Sequence, residues 1–389
     1  DRLWGSIFSF ERGRFFTKWP QRIPYPVTIS FGAPLPPGTS AFQARQEVMR
    51  LGAEAFAQRD ATQRTLPELF IDAAKRHWWR FSMADSFKRK LSFGKALIGA
   101  MLFRRLILKI CPQEEMIGVL LPPMVPSALL NAGISMAGRV PVNLNYTASA
   151  EALDSAIERC HLKTIFTSEK LLDRFSIARR PGMVMIEDVA KEIPPIRKLV
   201  YAAAAFLLPS LILRRWLIPR SLQLDSLATV IFSSGSTGLP KGVMLSHRNI
   251  VSNVEGSQQA ISINRDDCLL GILPFFHSFG FMAGLWLPLI SGCGVAFHTN
   301  PLEARTVGEL CRKHHVTLLI STPTFAWKYV QVCTREDFAA LRMAVVGAEK
   351  MKPELGRAFE EKFGVTVFEG YGCTELSPVV AVGAPDYVA

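Results

Sequence analysis

Residues 230–243 read Val-Ile-Phe-Ser-Ser-Gly-Ser-Thr-Gly-Leu-Pro-Lys-Gly-Val and are the most informative segment of the sequence. An apolar run typical of a buried β-strand leads into a loop rich in Ser, Thr and Gly. Gly235 and Gly238 let backbone N–H groups approach an anion closely, the hydroxyls donate hydrogen bonds, and Lys241 adds a positive charge. The segment therefore predicts a polyphosphate-binding loop that follows a strand.

Two other interpretations of this loop fit less well. The P-loop of nucleoside triphosphatases, G-x-x-x-x-G-K-[ST], requires glycine at the position that Pro240 occupies. A flexible Gly/Ser surface loop would explain neither the apolar strand before it nor the Pro-Lys-Gly sequence after it.

From Leu66 onward, short apolar runs alternate with longer stretches of helical periodicity. This alternation is typical of an α/β domain whose largely parallel sheets are covered by helices on both faces. The apolar runs that predict strands are residues 116–121, 164–167, 228–232, 268–273, 316–320, 343–346 and 365–368.

Residues 1–62 have a different character. Pro26–Phe31 predicts a strand, Ser40 is the expected N-cap of a following helix, and residues 58–64 are the predicted linker. One strand and one helix cannot bury a core of their own, so this segment is expected to be the end of a larger domain.

Composition limits the class of protein. The chain has 389 residues, of which 49% are hydrophobic and 20% charged, which favours two or three folded domains and excludes disorder. Its seven cysteines form no C-x-x-C pair and no Cys/His cluster at metal-ligand spacing. This cysteine pattern excludes a zinc module and argues against a disulfide framework. It therefore indicates a reducing, cytoplasmic compartment.

The net charge of +12 comes from two segments without acidic residues. Seven basic residues lie between Asp85 and Glu114, and five lie between Glu192 and Asp225, so together they equal the net charge. Both segments are interleaved with apolar residues, which favours an anionic membrane surface over nucleic acid. The basic residues expected to hold the bilayer, beside Trp216, are Arg197, Lys198, Arg214 and Arg215.

The longest apolar run, Leu199–Leu213, has 15 residues and contains Pro209. A membrane-spanning helix needs about 20 residues, so this run is predicted to lie on a membrane or to dip into it. A core helix of a large domain remains the alternative.

Ser233–Gly242 is similar to the phosphate-loop signature of the adenylate-forming superfamily, which includes acyl-CoA synthetases, luciferases and peptide-synthetase adenylation domains. Four other segments resemble motifs of the same family in the same order: Ala137–Asn145, Leu273–Gly280, Val346–Glu349 and Glu369–Glu375. The resemblance covers residues 63–389 and implies the large N-terminal domain of the adenylate-forming fold, with layered, mostly parallel sheets flanked by helices.

The resemblance also implies site residues, with ATP and Mg²⁺ as the bound groups. The residues that it assigns to ATP binding are Ser233, Ser234, Gly235, Ser236, Thr237, Gly238, Lys241, Gly347, Ala348, Glu349, Tyr371, Gly372 and Thr374. The residues that it assigns to catalysis are Lys241, His277, Thr374 and Glu375. Of these, Glu375 is the implied Mg²⁺ ligand and His277 the implied border of the acyl pocket.

Some of these assignments have alternatives. Glu349 would contact the adenine or form a salt bridge with Lys350 or Lys352. His277 would line the pocket or pack in the core, and Glu375 on its own would be a solvated surface acid. Cys373 is predicted to pack, because nothing basic near it would stabilise a thiolate.

The implied reaction has two steps. A carboxylate attacks the α-phosphorus of MgATP to give an acyl-adenylate and pyrophosphate, and a thiol then takes the acyl group as a thioester. Only fourteen residues follow Glu375, so the family's ribose-binding Asp and its C-terminal domain with a catalytic Lys are expected to be absent. The chain is therefore expected to adenylate poorly and not to complete the thioester.

Ile23–Pro37 resembles the closing segment of a glycerophospholipid acyltransferase domain, although no His has an Asp five positions later. Residues 1–62 are thus the expected remnant of that domain, and residues 63–389 the truncated AMP-binding domain. Together they resemble the bacterial bifunctional acyl-ACP synthetase/2-acylglycerophosphoethanolamine acyltransferases. This implies a fatty acid, acyl carrier protein or CoA, a lysophospholipid and the cytoplasmic face of the bacterial inner membrane.

Two alternatives remain at this point. The first is a long-chain fatty acid–CoA ligase with an incidental N-terminal extension. The second is a non-catalytic membrane-binding scaffold. The basic residues expected to hold a bilayer would equally suit an acidic acyl carrier protein.

Overall fold

The computed structural model describes residues 29–57, 64–189, 194–233 and 240–383. The chain divides into two compact units, residues 1–64 and residues 65–389. The predicted linker, residues 58–64, lies outside the described residues except for Arg64.

The first unit contains helix α1 (Ala41–Ala57). The Ser40 hydroxyl accepts a hydrogen bond from the Gln43 amide at 3.3 Å, which confirms Ser40 as the N-cap. The predicted strand is wrong for its described residues, Ile29–Phe31, which are not in a strand. Ile29 and Phe31 are 71% and 89% exposed, because no described strand of this unit pairs with them.

Each of the seven runs predicted to be strands overlaps a strand of the second unit. The strands in the described part of this unit are β1 (Phe81–Asp85), β2 (Lys90–Ser92), β3 (Met116–Val119), β4 (Val140–Asn143), β5 (Ile165–Thr167), β6 (Met183–Met185), β7 (Leu227–Ser233), β8 (Lys241–Ser246), β9 (Cys268–Gly271), β10 (Gly294–Phe297), β11 (Leu318–Ser321), β12 (Met343–Val346), β13 (Val367–Gly372) and β14 (Val379–Val382).

Helices separate most of these strands. They are α2 (Leu66–Arg76), α3 (Phe93–Ile110), α4 (Val125–Met136), α5 (Ala150–Arg159), α6 (Glu169–Phe175), α7 (Ile186–Val189), α8 (Pro195–Leu207), α9 (Ser210–Leu217), α10 (His247–Ile261), α11 (Leu287–Ser291), α12 (Ala304–His314), α13 (Pro323–Val332) and α14 (Pro353–Phe363). Gly280–Trp286 forms a π-helix, and Glu336–Phe338 and Thr374–Leu376 form single 3₁₀ turns.

The largest sheet has eight strands in the order β14-β13-β12-β11-β9-β10-β1-β2. The six inner strands run parallel, and β14 and β2 pair antiparallel at the two edges. A second sheet, β4-β3-β5-β6, is wholly parallel, and β7 and β8 form an antiparallel hairpin. The Thr229 hydroxyl of β7 donates a hydrogen bond to the Pro141 carbonyl of β4 at 2.8 Å, which joins the hairpin to the second sheet.

Helices cover both faces of the large sheet, as the sequence predicts. Alternate residues of its central strands enter two different cores, because side chains point to opposite faces along a strand. In β12, Val345 joins the core that contains Phe70, Phe281 and Trp286, whereas Val346 joins the core of α12 to α14. The sequence prediction of an α/β fold with largely parallel sheets is confirmed.

The apolar run Leu199–Leu213 forms parts of two short helices, α8 and α9, with Pro209 between them. Within the described residues, no helix is long and apolar enough to cross a membrane. The core-helix alternative is wrong for most of the run, since only Ala205 and Leu213 of it are buried.

Candidate functional site

Four neighbouring parallel strands, β13, β12, β11 and β9, end at the same edge of the large sheet. We call this the carboxyl edge. The turns that leave it carry three of the segments singled out in the sequence: Leu273–Gly280 after β9, Gly347–Glu349 after β12 and Cys373–Glu375 after β13. Ligands of open α/β sheets bind outside the carboxyl ends of strands, so the topology places these segments where a site is expected.

The β7–β8 hairpin frames the predicted phosphate loop. Ser233, the last residue of β7, pairs in register with Lys241, the first residue of β8. The predicted loop residues Ser234, Gly235, Ser236, Thr237 and Gly238 lie outside the described residues. Arg159 holds the returning strand by donating a hydrogen bond from Nη1 to the Pro240 carbonyl at 3.0 Å. Lys241 is exposed at the base of the loop.

The turn Thr374–Leu376 lies against β8, with Cα atoms within 8 Å. The base of the predicted phosphate loop and Glu375 are therefore on neighbouring elements, as a shared site requires. The Glu375 side chain is exposed, and it has no hydrogen-bond or ion-pair partner within the described residues. Its carboxylate is thus open to an external cation.

Asn253 of α10 fixes the position of this turn. Its amide nitrogen donates to the Val379 carbonyl at 2.7 Å and to the Leu376 carbonyl at 3.3 Å. Its carbonyl oxygen accepts from the Val379 amide at 3.1 Å. One side chain therefore ties the backbone that directly follows Glu375 to α10, the helix that directly follows β8.

Thr374 has a hydrogen-bond partner on the turn after β9. The buried Ser278 hydroxyl donates a hydrogen bond to the Thr374 hydroxyl at 3.3 Å. This contact brings two of the predicted motifs together, because Ser278 directly follows His277.

His277 lies at the opening of this region rather than in the core. Its side chain is exposed, and its ring contacts the Phe276 ring at a centroid distance of 4.5 Å. Protein surrounds the imidazole on its other sides, and the resulting desolvation lowers the pKa of His277 from its ordinary value. The core-packing alternative for His277 is therefore wrong, and its ring is neutral at neutral pH.

The turn after β12 has a strained backbone and a fixed carboxylate. Ala348 adopts φ of 68°, a left-handed conformation that residues with a Cβ rarely take. Glu349 accepts hydrogen bonds from the Thr324 hydroxyl at 2.6 Å and from the Thr324 amide at 3.3 Å. The salt-bridge alternative for Glu349 is wrong, because its partner is the first turn of α13 and not Lys350 or Lys352. Gly347 is buried beneath this turn.

Tyr371 and Gly372 end β13 beside β14. The Tyr371 ring is 70% exposed, so its faces are accessible. A Cβ on Gly372 would lie 2.0 Å from the Pro378 carbonyl oxygen, so this position requires glycine for backbone packing. The prediction that Cys373 packs is wrong: its side chain is exposed, at the N-cap of the turn Thr374–Leu376.

Three residues of this site were not predicted from the sequence: Asn253, Ser278 and Thr324. Ser278 stands inside a motif-bearing segment, but a serine there carries no signal of its partner. Asn253 and Thr324 lie on helices far along the chain from the residues that they hold, so only the tertiary structure identifies them.

Taken with the fold, this arrangement defines a class of protein: an α/β protein with a β-hairpin that exposes Lys241 and an exposed carboxylate at the carboxyl edge of a parallel sheet. The family described as AMP-binding enzyme matches residues 89–388. The chain belongs to this family.

Curated relatives of known name are similar over most of this chain. The 4-coumarate–CoA ligase of Pinus taeda is 25% identical over 321 residues, which are 80% of this chain and 56% of that protein. The 4-hydroxybenzoate–CoA/benzoate–CoA ligase of Rhodopseudomonas palustris is 27% identical over 316 residues, which are 77% of this chain and 56% of that protein. The chain thus spans a little over half the length of these relatives.

A solved structure shows the same fold. The N-terminal subdomain of Klebsiella oxytoca NpsA, in complex with 3-hydroxybenzoyl-AMSN, superposes with a TM-score of 0.68 at 17% identity. The match covers 84% of this chain and 76% of that chain.

Proposed function

We propose that this protein activates a carboxylic acid with ATP. A carboxylate oxygen attacks the α-phosphorus, the bond from that phosphorus to the β-phosphate bridging oxygen breaks, and pyrophosphate leaves with the electron pair. An acyl-adenylate remains bound. A thiol sulfur then attacks its acyl carbon, the bond from that carbon to the phosphate oxygen breaks, AMP leaves with the electron pair, and the thiol proton passes to solvent. Family membership supports the class of reaction. The observation that carries the proposal is the contact between β8, which begins at Lys241, and the turn that contains Glu375.

The residues present fit a magnesium ion that is shared with phosphates. Within the described residues there is no cluster of three or more His, Cys, Asp or Glu side chains that would hold a metal alone. Mg²⁺ is typically held by one or two carboxylates together with substrate phosphates, and the exposed Glu375 supplies one such carboxylate. When bound, the ion would neutralise phosphate charge.

The protein's own groups would supply positioning and charge. Lys241 places a cation at the base of the loop, and Thr374, held by Ser278, presents a hydroxyl beside Glu375. A carboxylate is a weak nucleophile that phosphates repel, so fixed donors at this point would account for most of the rate increase. The neutral ring of His277 would border the acid without adding charge.

The experiment is acid-dependent exchange of labelled pyrophosphate into ATP by the 389-residue chain. We expect exchange with at least one acid, slow as the sequence predicts for this chain, and a further fall of about 100- to 1000-fold in Lys241→Met and in Glu375→Gln. The matched controls are Lys313→Met and Glu309→Gln, exposed residues on α12, which we expect to retain the wild-type rate. Absence of exchange with every acid, or full exchange in both site variants, would overturn the proposal and favour a non-catalytic scaffold.

We also propose a finer specificity: a fatty acid as substrate and acyl carrier protein as acceptor, feeding reacylation of a lysophospholipid. In this proposal residues 1–62 are the end of an acyltransferase domain, residues 63–389 are the adenylating domain, and the protein acts at the cytoplasmic face of the bacterial inner membrane. The resemblance of Ile23–Pro37 to an acyltransferase segment supports it, as does the excess of basic residues, which suits an acidic carrier protein.

A second candidate is a CoA ligase, which the names of the curated relatives favour. The exchange assay with palmitate, 4-coumarate and benzoate separates the acids. Acyl transfer to acyl carrier protein, with free CoA refused, measured with a chain long enough to complete the thioester, would support the finer proposal. Transfer to CoA alone, or exchange with the aromatic acids alone, would replace it with an ordinary CoA ligase.

A further inference from the structure

The outward surface of α8 and α9 is apolar. In α8 the exposed residues recur at helical spacing, and Leu199 and Leu207 are 66% and 73% exposed. In α9 they occupy one side of a helix of eight residues. We call this surface the outer face of α8 and α9. Its large apolar residues are Ile196, Leu199, Val200, Phe206, Leu207, Leu211, Ile212 and Trp216.

α9 buries Leu213 and Leu217, as an ordinary surface helix does, but it also turns large apolar side chains outward. Arg214 points inward and donates hydrogen bonds from Nη1 to both carboxylate oxygens of Asp72, at 2.7 and 2.6 Å. The outward positions carry Leu211, Ile212 and Trp216 together with the exposed Arg215. The prediction that Arg214 holds a bilayer is therefore wrong, because α2 already supplies its partner.

Other elements fix and extend the outer face. Lys75 of α2 donates hydrogen bonds to the carbonyls of Ala205 and Phe206 at 2.8 and 2.7 Å, at the end of α8. The Trp79 ring, which is 80% exposed, lies 6.0 Å from the Phe206 ring. The surface is thus larger than α8 and α9 alone, and it is held in place rather than loosely attached.

Exposed cations border these apolar residues. Arg197, Lys198, Arg215 and Arg220 are all exposed, and no acidic residue occurs between Glu192 and Asp225. A second copy of the chain would bring like charges together across a symmetric contact, which is unfavourable. An apolar surface with a Trp and a basic border instead matches a headgroup layer of anionic lipids.

We propose that the outer face of α8 and α9 binds the surface of an anionic lipid bilayer, with its apolar side chains in the headgroup region and its cations on lipid phosphates. α8 and α9, with 13 and 8 residues, would lie in the plane of the surface. The inference goes beyond adenylation and does not depend on it, because it rests on the surface of the fold alone.

The test is flotation of the full chain with vesicles of phosphatidylglycerol and phosphatidylcholine, or of phosphatidylcholine alone. We expect binding to the anionic vesicles that weakens as salt rises. Leu199→Gln with Ile212→Gln should lower the affinity about 100-fold. Arg197→Gln with Lys198→Gln should lower it about 25-fold on anionic vesicles.

Matched controls change the same residue types elsewhere. Leu302→Gln with Val380→Gln, and Arg305→Gln with Lys313→Gln, replace exposed residues far from α8 and α9 in sequence, and we expect wild-type binding from both. Circular dichroism of each variant shows whether it is folded. Failure of the folded wild type to bind anionic vesicles would overturn the proposal. So would equal losses in test and control variants, or binding to acyl carrier protein or a second copy alone, detected by light scattering.

Discussion

The carboxyl edge and the outer face of α8 and α9 are both exposed surfaces, but the chain builds them in opposite ways. At the carboxyl edge, polar groups such as Thr374 and Glu349 are exposed or half-buried and are held by hydrogen bonds from other elements. On the outer face, the apolar side chains are exposed and the ion pair between Arg214 and Asp72 lies beneath them.

This difference separates two kinds of functional surface. A site that orients a small substrate needs fixed polar groups, so its supporting hydrogen bonds come from distant parts of the chain. A surface that meets a lipid layer needs area and charge but no fixed geometry, so its helices only have to be anchored from below. The predictions that follow test this contrast by removing anchors from one surface and measuring the other.

The largest expected effect comes from Asp72→Ala. This change leaves the Arg214 guanidinium without its carboxylate at a site where the two side chains are only 14% and 12% exposed. Removing one partner of such a pair should lower the free energy of unfolding by about 3 kcal/mol. The measurement is urea denaturation, with Glu309→Ala, an exposed acid on α12, as the control. A loss no larger than that of the control would show that α9 is not anchored through this pair.

The second prediction concerns His247, which connects α10, the helix that holds the carboxyl edge, to α2, the helix that anchors the outer face of α8 and α9. It begins α10 after β8, and its Nδ1 accepts a hydrogen bond from the Leu66 amide of α2 at 3.3 Å. Burial lowers its pKa from 6.5 to about 4, so the unfolded chain takes up a proton that the folded chain refuses. Stability is therefore lost as the pH falls below 6.5, by about 2 kcal/mol between pH 7 and pH 5 through this residue.

His247→Gln removes this titration and keeps an acceptor for the Leu66 amide. Between pH 7 and pH 5 the wild type should therefore lose about 2 kcal/mol of unfolding free energy that the variant keeps. The stability advantage of the wild type over the variant should shrink by that amount. His315→Asn, at an exposed helix end, serves as the control. Parallel pH profiles of the wild type and His247→Gln would contradict the assignment.

The third prediction removes the anchor of the carboxyl edge. Asn253→Ala deletes three hydrogen bonds to the Leu376 and Val379 backbone. We expect a loss of about 1.5 kcal/mol, since these bonds are partly exposed and a typical bond contributes about 1 kcal/mol. The rate of pyrophosphate exchange should also fall, because the Glu375 turn loses its anchor, whereas vesicle binding should not change. Ser252→Ala, on the same helix, is the control.

The sequence predicts the strands of this fold better than their arrangement. Apolar runs such as residues 343–346 are recognisable because both faces of a parallel sheet are buried. The order in which β9 lies between β11 and β10 depends on long-range pairing, which no local pattern carries. For the same reason, the strand prediction at Pro26–Phe31 is wrong for Ile29–Phe31. A segment with strand propensity forms a strand only when another strand pairs with it.

For the candidate site, the sequence identifies the motif residues but not their supports. The turns after β9, β12 and β13 are predictable because motif residues follow apolar strands. The sequence predicts the wrong surroundings for Cys373 and Arg214, since the direction of a side chain depends on what packs against its element. The outward side of α9 is an example: its composition is visible in the sequence, but the partner of Arg214 on α2 is 142 residues away.

The smallest expected effect concerns Ser278, a positioning residue for Thr374. Ser278→Ala removes one hydrogen bond of 3.3 Å and should change the unfolding free energy by about 0.5 kcal/mol. Pyrophosphate exchange at saturating ATP should fall about fivefold with little change in the KM for ATP, because the bond orients a hydroxyl rather than binding substrate. If Ser278 acts through Thr374, combining Ser278→Ala with Thr374→Val should cost no more than Thr374→Val alone. Additive losses would mean that Ser278 acts independently, and the contact between these two turns would then be a packing contact without a part in the proposed reaction.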